Sequence, residues 1–219
     1  MTSPALPLEA GIDMNRKAHW ERVYADKSPQ EVGWYQSEPI LSLLLVSHAG
    51  VGPSASIIDV GGGASVLVDR LHEQGFRRLA VLDISGHALD HARQRLGQAA
   101  AAMEWYETDV TQFDPPHTYA VWHDRAVFHF LTDAQDRRRY VQSLNKALAP
   151  GGNLIVAAFA LDGPDTCSGL KVVRYDTAGL GAELGSGFKL METASEMHQT
   201  PSGGRQQFGF YRYVKSQAV

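Results

Sequence analysis

The segment Val121-Trp122-His123-Asp124-Arg125-Ala126-Val127-Phe128-His129 sets a base, an acid and a permanent cation side by side, with a second histidine close behind. Groups of this kind take protons, pair with anions or hold a charged acceptor. Arg125 would favour a nearby thiol as its thiolate, and Asp124 or His123 could remove a proton from an amine. His123, Asp124 and Arg125 are therefore the candidate catalytic residues. Asp124 and Arg125 also suit a structural ion pair, and His129 a packed ring. The spacing of His123 and His129 does not suit a metal and no third ligand accompanies them, so no metal is expected. A second set of carboxylates closes apolar runs: Asp59 before Gly61-Gly62-Gly63, Asp83 after Leu79-Ala80-Val81-Leu82, and Asp109 in Thr108-Asp109-Val110. An ionised carboxylate only accepts hydrogen bonds, so Asp83 suits the two hydroxyls of a ribose. Asp109 suits an adenine amino group with Val110 against the ring, although an Asp at a strand end also serves turns.

The elements that must position these residues alternate. Strands are expected at Ser56–Val60, Leu79–Asp83, Met103–Glu107, Tyr119–His123 and Asn153–Phe159. Helices are expected at about Ser65–Glu73, from Ser85 as cap to Leu96, at Ala134–Leu148 before the stop Pro150-Gly151-Gly152, and from Asp176 to Leu184. Phe188–His198 and Gln207–Val214 read as long strands joined by Thr200-Pro201-Ser202-Gly203-Gly204, a hairpin signal. The pattern is α/β: a doubly wound, Rossmann-like, mostly parallel sheet, with the hairpin adding antiparallel strand at its edge. Ahead of it, Asn15–Asp26 reads as a helix with Trp20 and Tyr24 on one side. A loop carrying Trp34-Tyr35 follows, then a helix started by Pro39 with Ile40, Leu43, Leu44 and Ser47 as its face. Residues 1–13 read as a disordered tail, 14–50 as a cap or lid and 51–219 as the core of a single domain. The long loop Leu161–Tyr175 is a second lid candidate, from which Arg174 and Tyr175 would reach an acceptor.

The glycine turn follows an apolar strand and precedes a helix, the arrangement that brings backbone close to a nucleotide. A dinucleotide fingerprint would want glycine where Val66 stands. A cofactor without a pyrophosphate fits better, its amino-acid end over the glycines and its amino group drawn to Asp59 or to backbone carbonyls.

Taken in order, D-V-G-G-G, L-D-I-S, T-D-V, the strand end Tyr-Ala-Val-Trp-His-Asp and L-A-P-G-G resemble a class I S-adenosylmethionine-dependent methyltransferase from about Ile57 to Phe159. Ser65 stands where that family usually has its third glycine. The resemblance implies a seven-stranded sheet with an antiparallel last strand and S-adenosylmethionine as cofactor, leaving as S-adenosylhomocysteine. It implies that Gly61 and Gly63 flank the methionine moiety, Asp83 holds the ribose, Asp109 and Val110 hold adenine, and His123 borders the transferring methyl. Asp59, Gly62, Ile84 and Trp34 complete the expected cofactor set. The block W-H-D-R-A-V-F-H-F-L is similar to the W-D-R-G-A-L block of thiopurine and other thiol methyltransferases, and to the E-K-G-T-L-D block of small protein-lysine methyltransferases. His19-Trp20-Glu21 and Gly33-Trp34-Tyr35-Gln36 are similar to the aromatic segment both groups fold over the cofactor. Trp34, Tyr35, His129, Arg174 and Tyr175 are the expected acceptor-side residues, and aromatic faces there would attract a sulfonium.

The remaining composition narrows the partners. A 219-residue chain, 44% hydrophobic and 20% charged, can bury one sizeable core. Its net charge of −4 offers no basic surplus for nucleic acid. No apolar run is long enough to span a bilayer, and a single cysteine, Cys167, excludes an internal disulfide and suits the cytoplasm. Arg137-Arg138-Arg139 reads as a solvated helix face. The expectation is a methyltransferase acting on a small-molecule nucleophile, thiols favoured. The alternatives are a protein-lysine N-methyltransferase with a protein substrate and, from other classes, an NAD-dependent oxidoreductase or a non-catalytic cofactor-binding domain.

Overall fold

The computed structural model describes residues 11–217, with side chains from Arg16 onward. In chain order the strands are β1 (Ser56–Val60), β2 (Arg78–Asp83), β3 (Glu104–Glu107), β4 (Tyr119–Arg125), β5 (Leu148–Phe159), β6 (Thr166–Cys167), β7 (Leu170–Lys171), β8 (Phe188–Gln199) and β9 (Arg205–Lys215). The helices are α1 (Gly11–Asp26), α2 (Ile40–His48), α3 (Leu67–Glu73), α4 (Gly86–Leu96), α5 (Ala134–Ala147) and α6 (Thr177–Leu184). Seven strands form one sheet in the order β3-β2-β1-β4-β5-β9-β8, and β6 pairs with β7 as a separate small hairpin. Strands β1 to β5 run parallel, while β9 runs antiparallel between β5 and β8. This is the Rossmann-like, mostly parallel sheet that the alternating pattern predicts, with the seven strands and antiparallel last strand that the family resemblance implies.

The apolar sequence of β1, buried along its whole length, follows from its central place: both faces are covered, so it need not alternate. The chain leaves β1 outward through β2 and β3 and returns on its other side as β4. Strand order therefore reverses beside β1, and the carboxyl ends there open the crevice where α/β sheets bind ligands. Helix starts are fixed locally: Ser85 Oγ accepts from Ala88 N, Asp133 from Gln135 N and Asp176 from Gly179 N. The Pro150-Gly151-Gly152 stop does not separate helix from strand. It bulges within β5, where Leu148 already pairs with Tyr119 before the register resumes at Asn153 and Val121.

Two N-terminal readings change. Helix α1 includes Gly11–Asp13, so these residues are not tail; residues 1–10 lie outside the described residues. Helix α2 buries Ser42, Leu45 and Val46, while Ile40 (71% exposed) and Leu44 (45%) face outward. The helix is apolar all round, so periodicity could not choose its inward face. Arg137 is likewise no solvated side chain: it donates to Glu183, Leu131 O and Thr132 O and ties α5 to α6. Among the described residues, no helix is long and apolar enough to cross a membrane.

Candidate active site

A cavity, partly open to solvent, lies along the carboxyl edge of the sheet. Leu82, Asp83, Ile84, Thr108, Asp109 and Val110, from the ends of β2 and β3, line one end. Arg125, Ala126, Phe130, Cys167 and Phe208 line the other, with Gly61 between. Arg16, Trp20 and Tyr24 from α1, and Trp34 from the loop after it, complete the wall. Trp20 meets Phe130 and Trp34 edge-on at centroid distances of 5.0 and 5.5 Å, and Trp34 Nε1 donates to Tyr24 Oη.

The β1–β3 end is organised around Asp83. Its Oδ2 accepts from Gly63 N at 3.0 Å and its Oδ1 from Ser85 N at 2.9 Å. Burial outweighs these bonds and pushes its carboxyl up to about 6. Gly63 is needed for this approach, because a Cβ there would lie 2.7 Å from Asp83 Oδ2. Gly61 has φ +68°, and a Cβ would collide with Val127. Asp109 serves as cap and lining residue together. Its Oδ1 accepts from Thr111 N and Oγ1, both at 2.8 Å, while Arg16 Nη1 stands 3.6 Å from its Oδ2.

A second cavity lies on the other side of the glycine turn, lined by Asp59, Ser65, Tyr35, Ser42 and His123; Gly61, Trp34 and Arg125 border both. Here His123 bonds Asp59 Oδ1 through Nδ1 at 2.7 Å and Ser42 Oγ through Nε2 at 2.9 Å. Since a carboxylate only accepts, the Nδ1 N–H donates to Asp59, while Nε2 pairs with the Ser42 hydroxyl. Both ring nitrogens are engaged and the residue is only 2% exposed. His123 therefore braces Asp59, whose other oxygen, Oδ2, is buried with no partner; the expectation that it reaches a reacting methyl is not supported.

The alternation of β4 separates Asp124 from its neighbours. His123 and Arg125 face the cavities, while Asp124 points to the opposite layer and lines neither. There it accepts from Tyr140 Oη at 2.7 Å, Val127 N at 2.8 Å and Phe128 N at 3.1 Å. Burial pushes its carboxyl up to about 6. These bonds hold the sharp turn after β4, where Ala126 has φ 72°, a left-handed conformation uncommon outside glycine. The expected catalytic Asp124 is thus a structural acceptor.

Arg125 does face the cavity. Its Nη1 donates to Trp34 O at 2.9 Å and its Cζ lies 4.6 Å from the Phe208 ring centroid. Nη2 stands 3.7 Å from Glu196 Oε2, and Nε and Nη2 make no hydrogen bond. Burial lowers the guanidinium to about 10, so it remains charged at neutral pH.

Three expected acceptor-side residues fall outside both cavities. His129 is fully buried against Phe130 and Phe159, and burial drives its pKa down to about 3. Tyr175 is buried against Phe128, and its backbone N bonds Phe159 O, which ties the segment back to the end of β5. Arg174 donates to Gly163 O instead. From that loop Cys167 reaches the cavity, its thiol pushed up to about 11 by burial. Trp20 lies there as the likeness of His19-Trp20-Glu21 to a cofactor-covering segment implies, whereas Arg16, Tyr24, Phe130 and Phe208 are additions. The i,i+4 pairing of Trp20 and Tyr24 was the available signal for α1; Phe208, in a hairpin strand, carried none.

The strand order, the glycine turn after β1 and the buried carboxylate closing β2 define a Rossmann-like methyltransferase fold. A sequence model of a methyltransferase domain matches residues 57–152. Nodulation protein S of Rhizobium tropici is 33% identical over 113 residues, 52% of this chain and 46% of that protein. The eEF1A lysine and N-terminal methyltransferase of Danio rerio is 25% identical over 146 residues, 65% of this chain and 21% of that protein. This chain thus spans less than half of the length of one relative and about a fifth of the other. Among solved structures, the N-methyltransferase NodS of Bradyrhizobium japonicum with S-adenosylhomocysteine superposes with TM-score 0.66 at 19% identity, covering 89% of this chain and 97% of that one. A structure concerning conversion of a disulfide bond into a thioacetal group during echinomycin biosynthesis gives TM-score 0.76 at 13% identity, covering 93% and 94%. Residues 57–152 thus match a methyltransferase domain, and the fold is the one these S-adenosylmethionine-dependent methyltransferases share.

Proposed function

We propose that this protein transfers a methyl group from S-adenosylmethionine to a small-molecule nucleophile held at the β4–β9 end of the cavity. The observation that carries the reading is the continuity of that cavity. A buried carboxylate suited to a ribose stands at one end and a buried, charged guanidinium at the other, with the glycine turn between. The residues present fit the cofactor. Each Asp83 oxygen keeps a lone pair beyond its backbone bond, which suits a ribose diol. Ile84, Val110 and Leu131 supply apolar wall for adenine beside Asp109. The unpartnered Asp59 Oδ2 suits the ammonium of the methionine end. When bound, the cofactor would supply an electrophilic methyl group on a cationic sulfur that leaves as the neutral thioether.

The chain's own residues would then align and shield. Trp20, Tyr24 and Trp34 keep water from the cavity, and near-attack placement contributes on the order of 7–11 kcal/mol. Arg125 would hold an acceptor anion, a thiolate included, and His123 would orient Asp59. With Asp124 turned away, an acceptor proton would leave to solvent. Protein-lysine methylation is the second reading, favoured by the likeness to the eEF1A lysine and N-terminal methyltransferase. The apolar far end, whose charged lining group is Arg125, supports the small-molecule reading over it.

Calorimetry with S-adenosylmethionine, S-adenosylhomocysteine and NAD tests the cofactor: the first two are expected to bind, and binding of NAD alone would overturn the proposal. A labelled-methyl screen over thiols, amines, carboxylates and peptides then separates the two acceptor readings.

A further inference from the structure

We infer that the acceptor is a compact acid: an apolar, flat body lying among Trp34, Phe130 and Phe208, with a carboxylate or equivalent oxyanion seated on the free edge of Arg125. This rests on the methyltransferase reading above and names the substrate class of the same site. The guanidinium is used unevenly. Nη1 is committed to Trp34 O and one face is stacked on Phe208, while Nε and Nη2 have no hydrogen bond. Nε and Nη2 share one edge, and their N–H groups form the fork that matches a carboxylate bidentately. A buried donor edge left empty is costly, so its persistence points to an occupant.

Glu196 does not fill that role. Its Oε2 is 3.7 Å from Nη2, beyond hydrogen-bond reach, and both its oxygens accept from Gln36 Nε2 at 3.0 Å. The acids lining the main cavity, Asp83 and Asp109, stand at the ends of β2 and β3. Cys167, the remaining ionisable group near Arg125 in this cavity, stays a neutral thiol at neutral pH because burial raises it. A lysine ammonium would meet a cation whose ion-pair partner, Glu196, stands 3.7 Å off and is held by Gln36, whereas an anion meets N–H donors that have no hydrogen bond. The surrounding rings supply apolar contact but no hydrogen-bond pattern, which suits an aromatic or heteroaromatic body.

The test uses the full chain loaded with S-adenosylhomocysteine and titrated with benzoate, benzamide and benzylamine, probes of one size and of charge −1, 0 and +1. Benzoate is expected to bind about 10- to 100-fold more tightly than benzamide, and benzylamine more weakly than either. Arg125→Leu should abolish the preference. Arg125→Lys, which keeps the charge and loses the fork, should retain an intermediate part and guards against a misfolded Leu variant. Equal or tighter binding of benzamide or benzylamine, no binding of any probe, or a benzoate preference surviving in Arg125→Leu would overturn the inference. Failure of S-adenosylhomocysteine to bind the wild-type protein would instead count against the methyltransferase reading.

Discussion

At the β1–β3 end of the cavity, Asp83 and Asp109 are gripped by backbone N–H groups from their own strand–turn units, two residues on in Ser85 and Thr111 and in the glycine turn one βα unit back. At the β4–β9 end, Arg125 takes its contacts from Trp34, Phe208 and Glu196, all distant in sequence, and part of its donor set is unused. One end is preorganised and generic, the other assembled and unfinished. That division suits a site that binds one cofactor at fixed geometry and takes its specificity from loops and a lid.

Removing the anchor of the preorganised end should have the largest effect. Asp83→Ala is expected to weaken S-adenosylhomocysteine binding about 100-fold by calorimetry, because two charge-assisted bonds to a diol are lost. Unchanged affinity would remove Asp83 from the ribose and dissolve the contrast between the ends. Next, Asp124→Ala should cost about 2–4 kcal/mol in denaturant unfolding, since it leaves the Tyr140 hydroxyl and two backbone N–H groups buried without partners. Cofactor affinity of the folded variant should stay within about threefold. A large loss of turnover at unaltered stability would return Asp124 to the chemistry.

A pH titration sharpens the same comparison. Asp83 has its carboxyl raised by burial to about 6 in the free protein. Only the ionised form can accept both ribose hydroxyls, so cofactor binding favours proton loss. Affinity should be level above pH 6 and fall by up to tenfold per unit as pH drops through and below about 6. Arg125, at about 10, keeps its charge across that window, so the benzoate preference in loaded protein should not follow the same curve down to pH 5. The smallest effect belongs to Ser42→Ala. Losing the hydroxyl bond to His123 Nε2 should cost about 1 kcal/mol of stability and change S-adenosylhomocysteine affinity by less than about threefold. A larger loss of affinity would mean that the Ser42–His123–Asp59 chain sets the cofactor site rather than bracing it.

The cofactor end was legible because its signals are local. An apolar run, a glycine turn and a carboxylate closing the next strand are short-range patterns, and the strands carrying them pair in parallel wherever such units repeat. Ser85, Asp133 and Asp176 as caps were equally local, and the hairpin turn announced the antiparallel pair β8 and β9. The acceptor end was not legible in the same way. His123, Asp124 and Arg125 are adjacent in sequence and were grouped as one chemical unit. Strand alternation sends the middle one into the opposite layer, and Ser42, on a helix whose apolar sequence hid its inward face, captures the first. Tyr175 and Arg174 were drawn toward the site by loop length, yet backbone bonding to β5 holds that segment away.

By itself the sequence determined the α/β class, the alternation of strands and helices, the glycine turn and the carboxylates Asp59, Asp83 and Asp109, because each depends on neighbours within a few residues or on a periodicity. Only the tertiary structure decided which of the ionisable residues after β4 faces the cavity, and that Phe208 and Cys167 join it. Those outcomes depend on packing between segments up to nearly two hundred residues apart, where a side chain's surroundings are set by the whole fold and not by its place in the chain.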